Sequence, residues 1–347
     1  MSFFGDSKIL EPKPYSATWR SPSNIAFVKY WGKKGHQIPA NPSLSMTLKN
    51  CYTETSVRFS PAQELDVELY LEGTKSDKFA LKIKKYLESL DEFPFLSKTG
   101  VVIETKNTFP HGTGIASSAS GLSAFALGLT DYLYELNNRK EDGEFFECAS
   151  HLSRLASGSA CRSVYGGFTT WGECELTDSS DLHATKFKVH GDLSDLLDSI
   201  VVVSSEEKSV SSTAGHGQMT KHFFAEARFE QAKENFKLMA KAMSLGDIEL
   251  MGKVLEAEAL SLHAMMLTSS DPYILLKPNT LTGIEKIWQF RRDTKLPLYF
   301  TLDAGPNLHL IYPRTIEKQV RDFILSELKP VAQNIIHDEI GLGPQRC

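Results

Sequence analysis

The chain has 347 residues, of which 41% are hydrophobic and 23% charged, and its formal net charge is −5. These values are typical of a globular protein with room for two lobes. The negative charge argues against a general nucleic-acid or anionic-membrane surface, so we expect neither partner. The amino terminus lacks the pattern of a signal peptide, and the five cysteines are scattered without metal-binding spacing. We therefore expect reduced thiols and a cytoplasmic location.

Strands and helices are intermixed in the first half of the chain. Residues 1–16 predict an arm, and Thr18–Lys29 predicts a strand interrupted at Ser21-Pro22-Ser23. Glycines and prolines then predict turns as far as Leu48. The remaining predictions are strands at Thr53–Phe59, Asp66–Leu71 and Val101–Thr105, and helices at Ser76–Leu90, in the second half of Asn107–Thr130, and at Glu144–Arg154.

The second half of the chain continues the mixture. A small-residue loop at 157–173 leads into a strand, and residues 211–267 predict two or three amphipathic helices. The other predictions are strands at Phe187–Val189 and Ser199–Val203, a helix at Thr282–Arg292, a strand–turn–strand unit at 298–313, a helix at Ile316–Leu328 and an edge strand at Asn334–Ile340. Hairpins as well as crossovers predict the α+β class, with lobes at 1–190 and 191–347.

The stretch Asn107–Thr130 contains no Asp, Glu, Lys or Arg. Its glycine- and serine-rich first half follows a strand and opens a helix, an arrangement that presents unpaired N–H groups and a positive dipole end to an anion. It matches neither the Walker pattern nor GxGxxG. Pro110 and the glycines interrupt it too much for a membrane span. A phosphate site and a plain loop entering a core helix stay equally open from this stretch alone.

Lys29 lies within an apolar strand, where an ammonium is costly to bury unless it meets an anion. The alternative is an edge lysine that reaches solvent along its own methylenes. The neighbouring Tyr30, Trp31 and Lys33 favour an anion site.

A second cluster lies in SGSACR (157–162), where Ser157, Ser159 and Arg162 surround glycine and Thr169 follows. Hydroxyls and a guanidinium suit a carboxylate or phosphate, although a serine-capped loop with a surface arginine is equally consistent. The segment 210–217 repeats the hydroxyl pattern, and a helix cap explains it as well as anion binding does.

Asp303 ends an apolar strand at the Gly305-Pro306 turn. An aspartate that caps its own turn is the default interpretation. A catalytic carboxylate at the mouth of a strand is the alternative. His111, His216 and His263 have no paired metal-ligand spacing, and we interpret them as structural or peripheral.

Together these segments resemble the GHMP superfamily of small-molecule kinases, and within it the diphosphomevalonate decarboxylases. The resemblance runs from about residue 18 to residue 312. The motifs that carry it are NIAFVKYWGKKG (24–35), NPSLSMTL (41–48), FPHGTGIASSASG (109–121), SGSACRSVYGGF (157–168), VVVSSEEKSVSST (201–213), SLHA (261–264) and FTLDAGPN (300–307). KYWGK, SGSACRS and DAGPN are specific in combination, whereas the glycine–serine loop is shared with the kinases.

The resemblance implies a GHMP kinase fold. Its first lobe is like the second domain of a ribosomal small-subunit protein, with a left-handed βαβ unit, and its second lobe is ferredoxin-like. It further implies ATP, Mg²⁺, a homodimer, and conversion of mevalonate diphosphate to isopentenyl diphosphate, phosphate, ADP and CO₂. The chemistry is consistent with this, because phosphorylation turns the tertiary 3-hydroxyl into a leaving group. Departure of the phosphate leaves carbon 3 electron-deficient, and this drives the loss of CO₂.

By the same resemblance, Asp303 faces the 3-hydroxyl, Arg162 holds the substrate carboxylate and Asp303, and Lys29 stabilises developing charge. The implied substrate-binding residues are Asn24, Tyr30, Trp31, Gly32, Lys33, Lys78, Ser157, Gly158, Ser159, Ala160, Cys161, Arg162, Ser212 and Thr213. The implied ATP-binding residues are Pro110, Gly112, Gly114, Ile115, Ala116, Ser117 and Ser118, with Ser118 also a metal ligand.

The chain departs from the family pattern in places. FPHGTGIASS replaces the common FPTAAGLASS, so His111, Gly112 and Thr113 change the front of the loop. The arginine usual on the first-lobe helix has no match, and Lys78 or Lys75 is expected to replace it. Thr213 stands where some relatives have arginine.

Three other functions stay open from the sequence. A mevalonate 5-phosphate decarboxylase and a 3-kinase would share the fold, and a non-catalytic GHMP-fold ligand-binding protein is a less favoured interpretation. Decarboxylation is favoured because the chain has Lys29, Arg162 and Asp303 together. These residues do not indicate whether the substrate is a monophosphate or a diphosphate.

Overall fold

The computed structural model of the chain describes residue 3, residues 10–109, residue 115, residues 117–206 and residues 210–347, apart from the side chain of Thr213. Helices and two large sheets, both built mainly of antiparallel pairs, are interleaved along the described chain. This confirms the predicted α+β class.

The first sheet has eight strands. Its main path is β14-β1-β4-β7-β5-β6, while β8 pairs with β4 and β9 with β8; the pair β5–β7 is parallel. A separate hairpin, β2–β3, follows β1. The strands are β1 Tyr15–Val28, β2 Lys33–Gly35, β3 Ile38–Pro39, β4 Ser43–Pro61, β5 Asp66–Leu71, β6 Thr74–Lys75, β7 Thr99–Asn107, β8 Phe168–Trp171, β9 Thr185–Phe187 and β14 Gln345–Arg346.

Two expectations about β1 and β4 were wrong. β1 is continuous through Ser21-Pro22-Ser23, because the register shift after Pro22 provides a place for a residue without an N–H. The turns predicted as far as Leu48 end earlier, since β4 already begins at Ser43.

Three helices pack in the first half of the chain: α1 Asp77–Glu88, α2 Ser117–Leu136 and α3 Phe145–Ala156. α2 is buried on nearly all sides. Its serines bond to the sheet, with Ser120 Oγ 2.6 Å from Thr53 Oγ1 and Ser123 Oγ 2.6 Å from Ser21 Oγ. These bonds satisfy hydroxyls that would otherwise be costly to bury, and they fix the start of α2 against β1 and β4.

The second sheet has the order β11-β12-β10-β13 and is antiparallel throughout. β13 is an edge strand, as predicted, and β10 is an interior strand. The elements are β10 Leu196–Val202, α4 Ser212–Gln218, α5 Ala225–Leu245, α6 Ile248–Leu267, α7 Pro278–Thr294, β11 Tyr299–Thr301, β12 Leu308–Pro313, α8 Glu317–Phe323 with a π-helical continuation Ile324–Leu328, and β13 Asn334–Glu339.

The carboxyl-terminal segment connects the two sheets. The Asp338 carboxylate in β13 accepts hydrogen bonds from the N–H groups of Lys49, Asn50 and Cys51 in β4, each at 2.8 Å. The chain then returns to pair β14 with β1. Within the described part of the chain, none of the helices has the length and apolar character needed to cross a membrane.

Candidate active site

A buried ion pair lies where β1 ends. The Lys29 side chain is 2% exposed, and its Nζ donates to Asp303 Oδ1 at 3.0 Å and to the Ala26 carbonyl at 2.6 Å. Burial lowers the pKa of Lys29, against the opposing effect of the Asp303 charge. Asp303 retains 26% exposure and so is accessible from the protein surface. Lys29 is therefore a paired cation inside the protein, not an edge lysine reaching solvent.

Arg162 supplies a second buried cation. It lies in a 3₁₀ helix, Gly158–Val164, and is 3% exposed. Its Nε and Nη1 atoms have no hydrogen-bond partner among the residues that the structure describes. The charges of Arg162, Lys29 and Asp303 act on one another, so the three predicted catalytic residues come together from distant parts of the chain. Buried N–H donors without partners are costly, and a bound carboxylate would satisfy them.

The 3₁₀ helix that carries Arg162 is held against β1. Asn24 Nδ2 donates to Ser163 Oγ at 2.8 Å and, more weakly, to the Ser159 carbonyl at 3.4 Å. Asn24 is 3% exposed. Asn24 therefore holds the 3₁₀ helix against β1. A direct contact between Asn24 and the substrate was expected instead.

The predicted residues of this loop divide into two groups. Ser157 and Ser159 are partly exposed, whereas the side chains of Ala160 and Cys161 are buried in apolar clusters and do not face the cleft. At Gly158, an added Cβ would lie 2.8 Å from the Tyr30 hydroxyl, so glycine is needed for this close approach.

His216 of α4 meets the KYWGK segment directly. Its Nδ1 accepts a hydrogen bond from the Gly32 N–H at 2.9 Å, and its ring lies 4.3 Å from that of Tyr30 and 4.6 Å from that of Trp31. Burial, followed by the charges of Lys33 and Arg162, lowers the pKa of His216 to about 3, which keeps Nδ1 available as an acceptor. Of the two expected roles, structural or peripheral, His216 therefore has the structural one.

Tyr30 and Trp31 have different surroundings. The Tyr30 hydroxyl is buried and has no hydrogen-bond partner within the described residues. Trp31 is 5% exposed and packs in an apolar cluster with Met219 and Leu262. An added Cβ at Gly215 would lie 2.5 Å from the indole ring. The Trp31 side chain thus docks the segment onto α4 and α6, and the substrate contact expected of this side chain has no geometric support.

The hydroxyl segment before α4 is in part a helix cap, as the alternative interpretation held. Ser211 Oγ accepts a hydrogen bond from the Ala214 N–H at 3.2 Å, and Ser212 is exposed in the first turn. The side chain of Thr213 lies outside the described part of the structure.

Lys33 and Lys82 are two neighbouring cations, and we refer to them together as the cationic rim. Lys33 is half-buried, and its pKa is lowered by burial and then by the charge of Lys82 on α1. Lys82 remains accessible to solvent, yet the surrounding protein lowers its pKa as well. No salt bridge of either lysine is found among the described residues. Two neighbouring cations without a counter-charge are suited to an anionic ligand.

Lys82 is a further candidate for the cation that was expected at Lys78 or Lys75. Lys78 is exposed, and Lys75 forms a surface ion pair with Glu68 at 3.0 Å. Lys82 is the α1 lysine whose charge acts on Lys33. Its helical spacing from Phe79, three residues earlier, was the signal in the sequence that could have identified it.

The predicted phosphate loop is partly outside the description. Pro110, His111, Gly112, Thr113, Gly114 and Ala116 lie outside the described residues. Ile115 is 2% exposed, and its carbonyl accepts a hydrogen bond from Ser23 Oγ at 2.5 Å. Ser117 and Ser118 form the first turn of α2, where Ser117 is partly buried and Ser118 exposed. Both serines therefore stand at the positive end of a long helix.

A pocket of about 610 Å³, including its open mouth, adjoins this helix end. Ser117, Ser118 and Lys82 lie along it, and apolar side chains from α1, α2, β5 and β7 form its walls. These wall residues, none of which was predicted as a site residue, include Leu69, Leu71, Phe79, Ile103, Leu122 and Phe125. A pocket with an apolar wall and a cationic, N–H-rich end is suited to a nucleotide.

Metal ligands are not preassembled here. Among the side chains described, no cluster of three or more His, Cys, Asp or Glu is arranged to hold a metal ion. The exposed hydroxyl of Ser118 is compatible with a metal held mainly by ligand phosphates.

Two family models cover most of the chain. A model of the diphosphomevalonate decarboxylase-like N-terminal domain matches residues 21–182, and a model of the mevalonate 5-diphosphate decarboxylase C-terminal domain matches residues 199–340. The diphosphomevalonate decarboxylase of Ganoderma lucidum is 31% identical over 94% of this chain and 85% of its own length. That of Candida albicans is 31% identical over 95% of this chain and 98% of its own.

Solved structures agree. The crystal structure of mevalonate diphosphate decarboxylase from Staphylococcus aureus matches with a TM-score of 0.84 at 30% identity, covering 96% of this chain and 98% of that one. A complex of MDDEF with MVAPP, AMPPCP and magnesium matches with a TM-score of 0.83 at 27% identity, covering 96% and 99%. The fold is therefore that of the GHMP decarboxylases, and the chain belongs to the diphosphomevalonate decarboxylase family.

Proposed function

We propose that this protein catalyses the ATP-dependent decarboxylation of (R)-5-diphosphomevalonate to isopentenyl diphosphate, with release of ADP, phosphate and CO₂, in the mevalonate pathway. Family membership supports this reaction. The observation that carries it is the meeting of the Lys29–Asp303 ion pair with the buried, incompletely hydrogen-bonded guanidinium of Arg162. These three groups match three needs of the reaction. The carboxylate can accept the hydroxyl proton, the ammonium can stabilise the transferring phosphoryl group, and the guanidinium can bind the substrate carboxylate.

Asp303 would orient the 3-hydroxyl of the substrate and receive its proton. Its carboxylate is the partly exposed member of the ion pair, so a hydroxyl entering the cleft can donate to it. Lys29 Nζ, held by Asp303 and the Ala26 carbonyl, would stabilise negative charge as the phosphoryl group transfers.

Arg162 would bind the substrate carboxylate. Its partnerless Nε and Nη1 are N–H donors on different edges of the planar guanidinium, and a carboxylate at either edge would satisfy one of them. The Tyr30 hydroxyl is also buried without a hydrogen-bond partner among the described residues, and it would donate to the same substrate carboxylate. Held in this way, the carboxylate stays aligned with the breaking C–O bond until CO₂ leaves.

The substrate diphosphate would lie on the rim formed by Lys33 and Lys82, with Ser157 and Ser159 within the same cleft. Lys82 takes the place that was expected for Lys78. Burial lowers the pKa of both lysines, and the charge of Lys82 lowers that of Lys33 further, so an anionic ligand would stabilise their charged forms.

ATP would place its base in the apolar pocket and its phosphates at the start of α2, against Ser117 and Ser118. Mg²⁺, when bound, supplies charge neutralisation between the phosphates, with Ser118 as the protein ligand that we propose. MDDEF has been solved with MVAPP, AMPPCP and magnesium, which supports binding of a nucleotide and magnesium here.

Three further features are part of the proposal. The division into lobes at 1–190 and 191–347 is supported by the second sheet, whose strands β10 to β13 all follow residue 190, while the terminal strand β14 returns to the first sheet. A cytoplasmic location is supported by five unpaired cysteines. A homodimer follows from the family resemblance, and sedimentation velocity would measure it.

The substrate is tested by measuring CO₂ release and ADP formation with mevalonate, its 5-phosphate and its 5-diphosphate. We expect both products in equal amounts, with kcat/KM highest for the diphosphate. A preference for the 5-phosphate would overturn the substrate assignment. ADP without CO₂ would identify a 3-kinase, and binding without either product would identify a non-catalytic ligand-binding protein.

A further inference from the structure

Glu258 of α6 is a fully buried carboxylate outside the predicted site. Arg228 of α5 binds it in a bidentate manner, with Nη1 3.1 Å from Oε1 and Nη2 2.7 Å from Oε2. Asn235 Nδ2 donates to Oε1 at 2.7 Å. An ionised carboxylate that is cut off from water needs such donors, and three of them come from α5.

The fourth donor is the backbone N–H of Lys29, which meets Glu258 Oε2 at 2.8 Å. Lys29 follows the last residue of β1, Val28, so its peptide groups lie where the strand ladder ends. Asn41 Nδ2 donates to the Lys29 carbonyl at 2.9 Å. Side chains therefore anchor both backbone groups of the residue whose ammonium binds Asp303.

The same helix also contacts the other member of the ion pair. His263, five residues after Glu258, is 2% exposed, and its Nε2 lies 3.0 Å from the Asp303 carbonyl oxygen. α6 thus holds the backbones of Lys29 and Asp303 through two buried side chains. Their relative position is set by one rigid element instead of two independent loops.

Charge adds to this geometry. The groups that act on the Lys29 ammonium are Asp303 from the β11–β12 loop, Glu258 from α6 and Arg162 from the 3₁₀ helix, while Arg228 pairs with Glu258 from α5. Glu258 favours the charged form of Lys29, whereas burial and Arg162 oppose it. Removing the negative charge of Glu258 should therefore make the ammonium easier to deprotonate.

We propose that Glu258 is a positioning residue for the decarboxylation, acting through Lys29: it fixes the Lys29 backbone and so holds the ammonium in line with Asp303. This inference rests on the proposed function. A misplacement of about 1 Å in such a constellation can cost about a hundredfold in rate, so the anchoring has catalytic consequences. The competing explanation is that the Glu258–Arg228 pair only joins α5 to α6.

Glu256 offers a matched control on the same helix. It is 7% exposed and accepts hydrogen bonds from Arg291 at 2.7 and 3.0 Å and from Trp288 at 2.9 Å. Glu256→Gln and Glu258→Gln each remove one charge from a buried glutamate that pairs with an arginine, although Arg291 is 26% exposed and Arg228 only 2%. We expect Glu258→Gln to lower kcat at least tenfold, with KM for ATP within about threefold, and Glu256→Gln to leave kcat within about twofold. Equal effects of the two variants on kcat would overturn the proposal.

The pH profile separates positioning from simple support. In Glu258→Gln the alkaline limb of the kcat profile should move to lower pH by about half a unit or more, whereas the Glu256→Gln limb should not move. If Glu258→Gln does not fold, the double variant Glu258→Gln/Arg228→Gln removes both charges and leaves an amide oxygen for the Lys29 N–H. The double variant should show the same shift, and an unshifted limb would contradict the inference.

A direct titration distinguishes failure of this inference from failure of the proposed function. With ¹³Cε-labelled lysine and Lys29→Met for assignment, NMR follows the Lys29 ammonium without any substrate. Its pKa should be lower in Glu258→Gln than in the wild type. An unchanged pKa refutes the role of Glu258 whatever reaction the enzyme catalyses, whereas a lowered pKa in a protein that releases no CO₂ refutes the reaction alone.

Discussion

Replacing Lys29 with methionine removes the ammonium and keeps most of the side-chain volume. In the native structure Nζ donates to Asp303 Oδ1 and to the Ala26 carbonyl inside the protein. The variant therefore leaves an acceptor oxygen on Asp303 without this donor, and it removes the cation that we place beside the transferring phosphoryl group.

The expected magnitudes differ for rate and stability. Loss of one preorganised donor to developing charge costs about 2.7–4 kcal/mol of barrier, or about 10²–10³ in kcat. For stability, the two lost hydrogen bonds are partly offset by the desolvation cost that a buried ammonium no longer carries. Removing one partner of a buried ion pair costs about 3–5 kcal/mol, and we expect a loss at or below the lower end of that range because Asp303 retains 26% exposure and still faces the charge of Arg162.

The assay compares kcat for CO₂ release with the urea midpoint of Lys29→Met. Lys34→Met is the control, because Lys34 lies in the same segment but forms only a surface ion pair with Asp181 at 2.8 Å. We expect the control to keep full activity. A Lys29→Met enzyme that is folded and within about tenfold of wild-type kcat, about 1.4 kcal/mol of barrier, would refute the assigned role.

Three other outcomes are expected. Lys82→Met should raise the substrate KM at least tenfold and Lys78→Met should not, as steady-state kinetics would show; equal KM values would remove Lys82 from the diphosphate site. Gly215→Ala should lower both Tm and kcat because its Cβ would lie 2.5 Å from a buried indole, whereas Gly217→Ala, with no atom within 4 Å, should not; identical melting curves would contradict this packing. The pKa of His216 is lowered from 6.5 to about 3, so the unfolded state binds the extra proton between these values and stability falls as pH decreases through them. Urea unfolding at pH 7 and pH 5 should show His216→Gln gaining about 1–2 kcal/mol relative to the wild type at the lower pH, and a constant difference would refute it.

Local patterns predicted the elements with strong periodicity or clear turn residues. The spacing of Phe79, Ile83 and Leu87 indicated α1, and Gly305-Pro306 marked the turn between β11 and β12. β1 was harder to predict, because Ser21 and Ser23 have the composition of a turn. Their hydroxyls are instead buried and bonded to residues that are remote in the chain. Only the tertiary structure provides those partners.

The site residues also divide into those that a motif predicted and those whose partners come from other elements of the fold. Lys29, Arg162 and Asp303 were identified from their motifs, and the structure brings them together, but their roles stay predictions. His216 and Lys82 lacked any motif, since their meaning depends on the Gly32 N–H and the Lys33 ammonium, which reach them from other elements. Residues that act through folded neighbours leave little local signal.

Asp303→Asn tests the central claim most directly, because it removes the charge and the basic oxygen while retaining the side-chain shape. Calorimetric titration with a nucleotide analogue and the CO₂ assay would be applied to the same preparation. We predict that nucleotide affinity stays within about threefold of wild type while CO₂ release falls by at least 10³, about 4 kcal/mol of barrier. Wild-type turnover in this variant would contradict the proposed mechanism.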